Sequence, residues 1–222
     1  MDLTVAVIAK ECLPGRVKTR LCPPLTPEQA AALAQLSLSR TLETVRLLPV
    51  LNRLLVLEGT PSEADAENFT VVPQASGRLD ERLAAICDAA DGPLLIIGMD
   101  TPQFSVDDVA PLLQDWEAQE TLYDAWMGPA TDGGFWALAM RHPLGELIRG
   151  VPMSTERTGA SQFARLSAAG LSVGILPELR DMDNFSDALE IAAAIPGSGF
   201  AHAVDKAALQ IRGSSPTAGA AR

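Results

Sequence analysis

The chain has 222 residues, 47% hydrophobic and 20% charged, with 17 Lys and Arg against 28 Asp and Glu and a net charge of −11. That length suits a single domain with a sizeable core, and the acidic balance excludes general nucleic-acid binding, which needs a basic face or stripe. Cys12, Cys22 and Cys87 are odd in number and lack zinc spacing, which excludes a disulfide framework and structural zinc.

Met1 leads directly into strand-like sequence without a basic leader. No apolar run approaches the roughly 20 residues that span a bilayer, so the chain reads as cytoplasmic, without membrane insertion. Leu3–Ala9 is an apolar strand candidate. Thr26-Pro27-Glu28-Gln29 then supplies an N-cap, a proline at the first helical position and a Gln three residues after the cap. Leu33, Leu36, Leu42, Val45 and Leu48 fit one face of the long helix that follows. Arg53–Glu58 and Thr70–Pro73 read as short strands, and Arg78–Ala90 as an amphipathic helix.

Pro93–Gly98 is a buried strand ending at Met99-Asp100-Thr101-Pro102. Ser105, with Asp108 three residues on, caps a helix running to Gln119. Thr121–Met127 and Phe135–Met140 are strands joined by the turn-rich GPATDGG. A helix beginning near Ser154, a strand at Leu171–Leu176 and a helix at Asp187–Ile195 follow. Strands alternating with helices predict an α/β fold, a single doubly wound domain over 1–195 with a mostly parallel sheet and helices on both faces. Residues 196–222 are rich in Gly, Ser, Ala and Pro. They read as a partly disordered tail in which Ala203–Ile211 could form a short helix.

The segment AKECLPGRVKTRL, residues 9–21, concentrates positive charge in an otherwise acidic chain. Lys10, Arg16, Lys18 and Arg20 surround a Pro14-Gly15 turn whose freed amides can approach an anion closely. The loop follows the first strand, where open α/β sheets place ligands, and the usual anion there is a phosphate chain. Neither GxxxxGK[ST] nor GxGxxG is present, which excludes the P-loop and dinucleotide readings. The alternative is a solvated surface loop.

Asp100, beyond an almost wholly apolar strand, has the chemistry to hold Mg²⁺ with nucleotide phosphates, which one or two carboxylates and waters commonly do. The alternative is a turn or cap residue. Asp181 and Asp183 form an acid pair after a strand, either metal ligands or solvated turn acids. They are read as projecting to opposite sides of the extended chain, so that one faces a given metal. Asp132 with Gly133 and Gly134 allows close backbone approach to a ligand, or a plain hairpin turn. Gln74 and Arg82 could serve a ligand or a helix start. Trp126 and Trp136 read as core or pocket wall, and His142 and His202 lack partners at ligand spacing.

Taken together, AKECLPGRVKTRL, QASGRLDERL (74–83), GMDTP (98–102), GPATDGGFW (128–136), VPMST (151–155) and DMDNFSDAL (181–189) resemble a bacterial family of small transferases with the nucleotide-diphospho-sugar (GT-A-like) fold. More distantly, the Lys-Thr-Arg-Leu loop and the two acidic segments are similar to guanylyltransferases that activate phospholactate or phosphoenolpyruvate. The resemblance implies phosphate binding by Arg16, Lys18, Thr19 and Arg20, with Gly15 in the turn and Lys10, Gln74 and Arg82 on the nucleotide side. It implies Mg²⁺ (or Mn²⁺) on Asp100 and on Asp181 or Asp183, and an acceptor side formed by Asp132, Gly133, Gly134, Ser154 and Thr155. Met99 stands where the family commonly has Ser, Met153 where it has Trp, and Cys12 where it has Pro.

Two enzyme readings follow. In nucleotidyl transfer an acceptor phosphate or hydroxyl attacks the α-phosphate of a nucleoside triphosphate and pyrophosphate leaves, with Lys18, Asp100 and Asp132 as the catalytic candidates. In glycosyl transfer the acceptor attacks a sugar carbon of a nucleotide sugar, with Asp132 as the candidate base. Three or four cations suit a triphosphate better than a diphosphate, which favours the first. A non-catalytic nucleotide- or partner-binding module is the third reading. The expected partners are a nucleotide or nucleotide sugar and a small acceptor, and an exposed face of the Thr26–Leu48 helix is a candidate homodimer face.

Overall fold

Seven strands, β1 (Thr4–Lys10), β2 (Asn52–Glu58), β3 (Thr70–Pro73), β4 (Leu94–Gly98), β5 (Ala125–Pro129), β6 (Phe135–Met140) and β7 (Val173–Ile175), form one sheet in the order β3-β2-β1-β4-β6-β5-β7. The computed structural model describes residues 2–214. β1 runs parallel to both β2 and β4, β3 is parallel to β2, and β7 is parallel to β5, while β6 alone is antiparallel, to β4 and β5. The mostly parallel, doubly wound expectation therefore matches the fold.

Period-two alternation divides the strands between two cores. Val5, Val7, Leu55, Leu57, Leu95 and Ile97 face one side, packed with Ala34, Leu38 and Leu42 of α1 (Pro27–Leu47). A short helix, α2 (Glu63–Ala66), lies between β2 and β3. Ala6, Val56, Leu94, Ile96 and Leu138 face the other side. They meet Leu83, Ala84 and Cys87 of α3 (Leu79–Asp88) and, past α4 (Ala110–Glu117), Leu166 of α5 (Thr158–Ala168). Fully burying one such Leu or Ile contributes about 1.5–3 kcal/mol, so the two layers fix the strand ends from both faces.

The start of α1 follows its local chemistry. Thr26 Oγ1 accepts from Gln29 N, and the Gln29 side chain accepts from Thr26 N at 2.9 Å, a closed capping box with Pro27 at the first position. The helix does not, however, bury a single face. Leu42 and Val45 join the sheet-side core, whereas Ala30 and Leu33 join a third cluster with Ile191 of α6 (Phe185–Ala194) and Phe200 and Val204 of α7 (Gly199–Ser214). Part of the flank considered for a dimer is thus covered from within the chain.

The helix α7 exceeds the short segment expected there, because Phe200, Val204 and Ala207 present a helical stripe that is buried against α1 and α6. Residues 215–222 of the expected tail lie outside the described residues. Most boundaries shift by one or two residues, and two move further. The expected strand at Thr121 starts only at Ala125, because the buried Asp115 carboxylate accepts the N–H groups of Leu122 and Tyr123 and holds them in a turn. The helix expected near Ser154 starts at Thr158, after a loop closed by Thr158 Oγ1, which accepts from Thr155 N and donates to Pro152 O.

Candidate functional site

With the order β3-β2-β1-β4, the chain reverses its winding between β1 and β4, the switch point at which open α/β sheets leave a crevice. A cleft of about 740 Å³ opens there. The ends of β1 and β4, the start of the antiparallel β6 and the segment after β7 all reach it. Lys10, Arg16, Lys18, Thr19, Arg20, Gln74, Arg82, Asp100, Asp132, Gly134, Ser154, Thr155, Asp181 and Asp183 all line it. Of the residues singled out from sequence, Gly15 and Gly133 do not.

At the charged end, Lys18 adopts a left-handed backbone conformation (φ 48°), uncommon for a residue with a side chain. Its side chain is only 10% exposed, and its Nζ lies 2.9 Å from Asp100 Oδ2 and 3.5 Å from Asp183 Oδ1. Burial alone would lower the pKa of this ammonium, but the Asp100 and Asp183 carboxylates outweigh it and hold the pKa above its ordinary value. Arg20, far more exposed, donates to Asp183 Oδ2 at 3.3 Å. Lys10 Nζ is 3.2 Å from Glu58, beyond the cleft wall. Arg16 is exposed and has no side-chain partner among the described residues. The cations expected to grip phosphate are therefore mostly neutralised by the chain's own acids.

The acidic segment corrects the sequence reading. Asp181 and Asp183 do not project to opposite sides: residues two apart in an extended chain share a face, and both line the cleft. The residue between them, Met182, is fully buried, and its N–H donates to Asp100 O at 2.9 Å, stitching the segment to the end of β4. Gln103 Nε2 donates to Arg180 O at 2.7 Å, and Asp187 of α6 accepts from Asp183 N and Asn184 N. Burial first, and then Asp100 and Asp132, push the Asp181 carboxyl up to about 7.

On the far side the GPATDGG turn is a hairpin, with Gly133 N donating to Ala130 O and Asp132 Oδ1 accepting from Gly134 N at 2.8 Å. Gly133 has φ +86°, and a Cβ there would meet Glu156 O at 2.1 Å. Its carbonyl accepts from Gly159 N at 2.8 Å. Gly133 thus ties the hairpin to the first turn of α5, packed close against Glu156, and does not line the cleft. In that loop Ser154 is also left-handed, at φ 57°. Gln74 is similarly committed: its amide nitrogen donates to Ala9 O and Val56 O, and its Oε1 accepts from Arg82. It ties β1, β2 and α3 together at the rim.

Sequence reasoning offered Trp136 as core or pocket wall and Met153 as a pocket residue, and both line the cleft, but it missed the rest of the apolar wall. Ile8, Leu79, Phe135 and Met153, each half-buried, line the cleft with the buried Leu83 and Ile96. Ile8 and Ile96 read as core in sequence because nothing local separates a strand residue facing a helix from one facing a cleft. Trp126 and Trp136 are buried, their indole N–H groups donating to Asp115 and Pro177 O. Burial, with Asp65 next, pushes the Cys12 thiol up to about 12, which leaves it unreactive. Among the described residues no group of three or more His, Cys, Asp or Glu is gathered to hold a metal, and no helix is long and apolar enough to cross a membrane.

This switch-point cleft belongs to the nucleotide-diphospho-sugar transferase fold. The chain is similar to a candidate nucleotide-diphospho-sugar transferase from Desulfovibrio desulfuricans G20, with TM-score 0.82 and 21% identity over 96% of this chain and 98% of that one. It is also similar to a CMP:2-keto-3-deoxy-manno-octonic acid synthetase complexed with CTP, with TM-score 0.56, 13% identity and coverage of 88% and 98%. A third likeness is to Rv0371c from Mycobacterium tuberculosis H37Rv in complex with manganese, with TM-score 0.50, 16% identity and coverage of 86% and 98%. No curated protein sequence matches. Residues 41–155 match the family described as "Uncharacterized protein conserved in bacteria (DUF2064)", and the chain belongs to that family.

Proposed function

We propose that the cleft binds a nucleoside triphosphate with Mg²⁺ or Mn²⁺ and transfers its nucleotidyl group to a small phosphorylated or hydroxylated acceptor in the cytoplasm. The observation that carries this reading is the meeting of Lys18 and Arg20 with Asp100 and Asp183 in one cleft at the switch point. Phosphate-binding cations and metal-type carboxylates abut there within a few ångströms. The likeness to a synthetase holding CTP and to a protein holding manganese supports the same reading.

The donor set fits such a metal. Carboxylate oxygens suit hard cations, and Mg²⁺ beside a nucleotide needs only one or two of them, with phosphate oxygens and water completing its shell. Two acids are enough, so the lack of a three-residue cluster among the described residues is no obstacle. Asp181, pushed up to about 7 beside Asp100, is a carboxylate short of positive charge. Asp100, with Asp183 or Asp181, would hold the ion, which when bound neutralises charge on the phosphate oxygens.

Arg16, Lys18, Thr19 and Arg20 would bind the β- and γ-phosphates, with Lys18 stabilising charge on the departing pyrophosphate. The acceptor oxygen attacks the α-phosphorus, and the bond to the α–β bridging oxygen breaks, its electron pair leaving with pyrophosphate. Asp132, Ser154 and Thr155 would orient the acceptor, beside the wall of Phe135 and Met153, and Asp132 would take the proton of a hydroxyl acceptor.

Glycosyl transfer from a nucleotide sugar is the second reading, favoured by the likeness at TM-score 0.82 to the Desulfovibrio protein. A panel of nucleotides and nucleotide sugars, with and without Mg²⁺ or Mn²⁺, separates the two. Thermal stabilisation by triphosphates and acceptor-dependent pyrophosphate release support nucleotidyl transfer. Preference for nucleotide sugars with release of nucleoside diphosphate supports glycosyl transfer, and binding without turnover leaves a nucleotide-binding module. Asp100→Asn is expected to lower turnover by at least about 100-fold, since it removes a metal-holding charge. Unchanged metal-dependent turnover in that variant would remove Asp100 from the site.

A further inference from the structure

In the folded chain the cation-holding and anion-holding halves of the cleft neutralise each other. Lys18 Nζ sits between Asp100 Oδ2, at 2.9 Å, and Asp183 Oδ1, at 3.5 Å, and Arg20 Nη1 takes the other oxygen of Asp183 at 3.3 Å. The Lys18 side chain is nine-tenths buried, and its left-handed backbone turns it into the cleft instead of outward to solvent. Met182, anchored in the core and bonded to Asp100 O, holds the acids against it. An internal ammonium therefore already sits on Asp100 and Asp183, two of the carboxylates that a divalent ion would use, and the same carboxylates hold Lys18 and Arg20, two of the side chains that a phosphate chain would use.

We propose that the cleft takes its metal and its polyphosphate together, as one chelate, because Lys18 and Arg20 keep both half-sites closed to either ligand alone. A metal arriving alone must approach Lys18 at close range or displace it with no new partner. A polyphosphate arriving alone must pull Lys18 and Arg20 from Asp100 and Asp183, stranding two acids beside its own negative charge. The chelate satisfies all four groups at once: the metal replaces the cations on the carboxylates, and phosphate oxygens replace the carboxylates on the cations. Metal and polyphosphate then couple positively, and the coupling is reciprocal. This inference rests on the reading of the cleft as a metal–nucleotide site.

The test uses the full chain and probes that need no knowledge of the base: Mn²⁺ alone, inorganic tripolyphosphate alone and the Mn²⁺–tripolyphosphate chelate, each titrated by calorimetry. The native protein is expected to bind the chelate at least tenfold more tightly than either component. Lys18→Met is expected to gain at least tenfold in affinity for Mn²⁺ alone, and Asp183→Asn to gain at least tenfold for tripolyphosphate alone. Each is a gain of binding, which a misfolded variant cannot produce, and Lys18→Gln repeats the first with a polar side chain. If Lys18→Met and Lys18→Gln bind Mn²⁺ no more tightly than the native chain does, the closed-site inference falls while the metal-site reading stands. If no protein binds Mn²⁺, alone or as the chelate, both fall.

Discussion

At the start of α3, Asp80 is surrounded by donors: the Arg78 guanidinium lies on both its oxygens at 3.1 Å, and Gly150 N–H donates to Oδ2 at 2.8 Å. After β7, the largely buried Asp181 feels the charges of Asp100, Asp132 and Asp183 against its own and that of Lys18 in its favour. Arg78 first, with the Gly150 N–H, holds the Asp80 carboxyl down to about 2, while burial first, then the neighbouring acids, pushes Asp181 up to about 7. One acid has its charge answered inside the fold and ties a helix start to a distant turn. The other is one of the acids proposed above to meet a metal ion. That contrast distinguishes the carboxylate that ties the fold together from the one proposed to meet a ligand.

The largest effect expected outside the cleft's own binding reactions is on stability, at Asp181. Its folded-state pKa lies above the unfolded one, so its contribution is fully present below about pH 4 and is lost as pH rises through 7. Each unit of pKa corresponds to about 1.4 kcal/mol. Asp181→Asn, which cannot ionise, should therefore be more stable than the native chain at pH 8 in the absence of divalent ions, by up to roughly 4 kcal/mol. The gain should vanish by pH 4. Urea denaturation across that range measures it, and an equal gain at both ends would show that Asp181 does not titrate near neutrality.

Asp80 has the opposite sign. Its folded-state pKa is depressed, so its contribution is present above about pH 4 and is lost as pH falls through 2. Asp80→Ala should lower Tm by a few degrees, and by the same amount at pH 6 and pH 8, because the bonds to Arg78 and Gly150 are intact throughout that window. A Tm that is unchanged, or a loss that varies between those two pH values, would erase the contrast with Asp181.

The chain's local chemistry was legible and its convergence less so. The capping box at Thr26–Gln29, the strand at Thr70–Pro73 and the apolar run of β4 lie within a few residues of their causes. The strand-after-strand placement of Lys18, Asp100 and Asp183 at one sheet edge also follows from alternation. That Lys18 would lie in contact with both acids depends on Met182 finding a core pocket and on Lys18 turning left-handed, and neither carries a sequence signal. Gln74 looked like a ligand residue because an amide after a strand suits either use, and only the carbonyls of Ala9 and Val56 decide between them. For α7 the signal existed: Phe200, Val204, Ala207 and Ile211 recur at helical spacing, but the Gly, Ser and Pro on either side outweighed it.

The smallest effect bears on the acids' partners. Arg20 shares Asp183 with Lys18, yet 74% of its side chain is exposed against 10% for Lys18. Solvent screens an exposed ion pair, and holding a long side chain in place costs entropy, so such pairs contribute about 0–1 kcal/mol. Arg20→Gln should leave the stability of the chain within about 0.5 kcal/mol of native in urea, while weakening the Mn²⁺–tripolyphosphate chelate by about tenfold, the loss expected of one charge-assisted hydrogen bond. A substantial stability loss with unchanged chelate binding would make Arg20 a structural partner of Asp183, as Arg78 is of Asp80. Binding lost without stability would place Arg20 with Asp181, among the charges that the fold holds in reserve for a ligand.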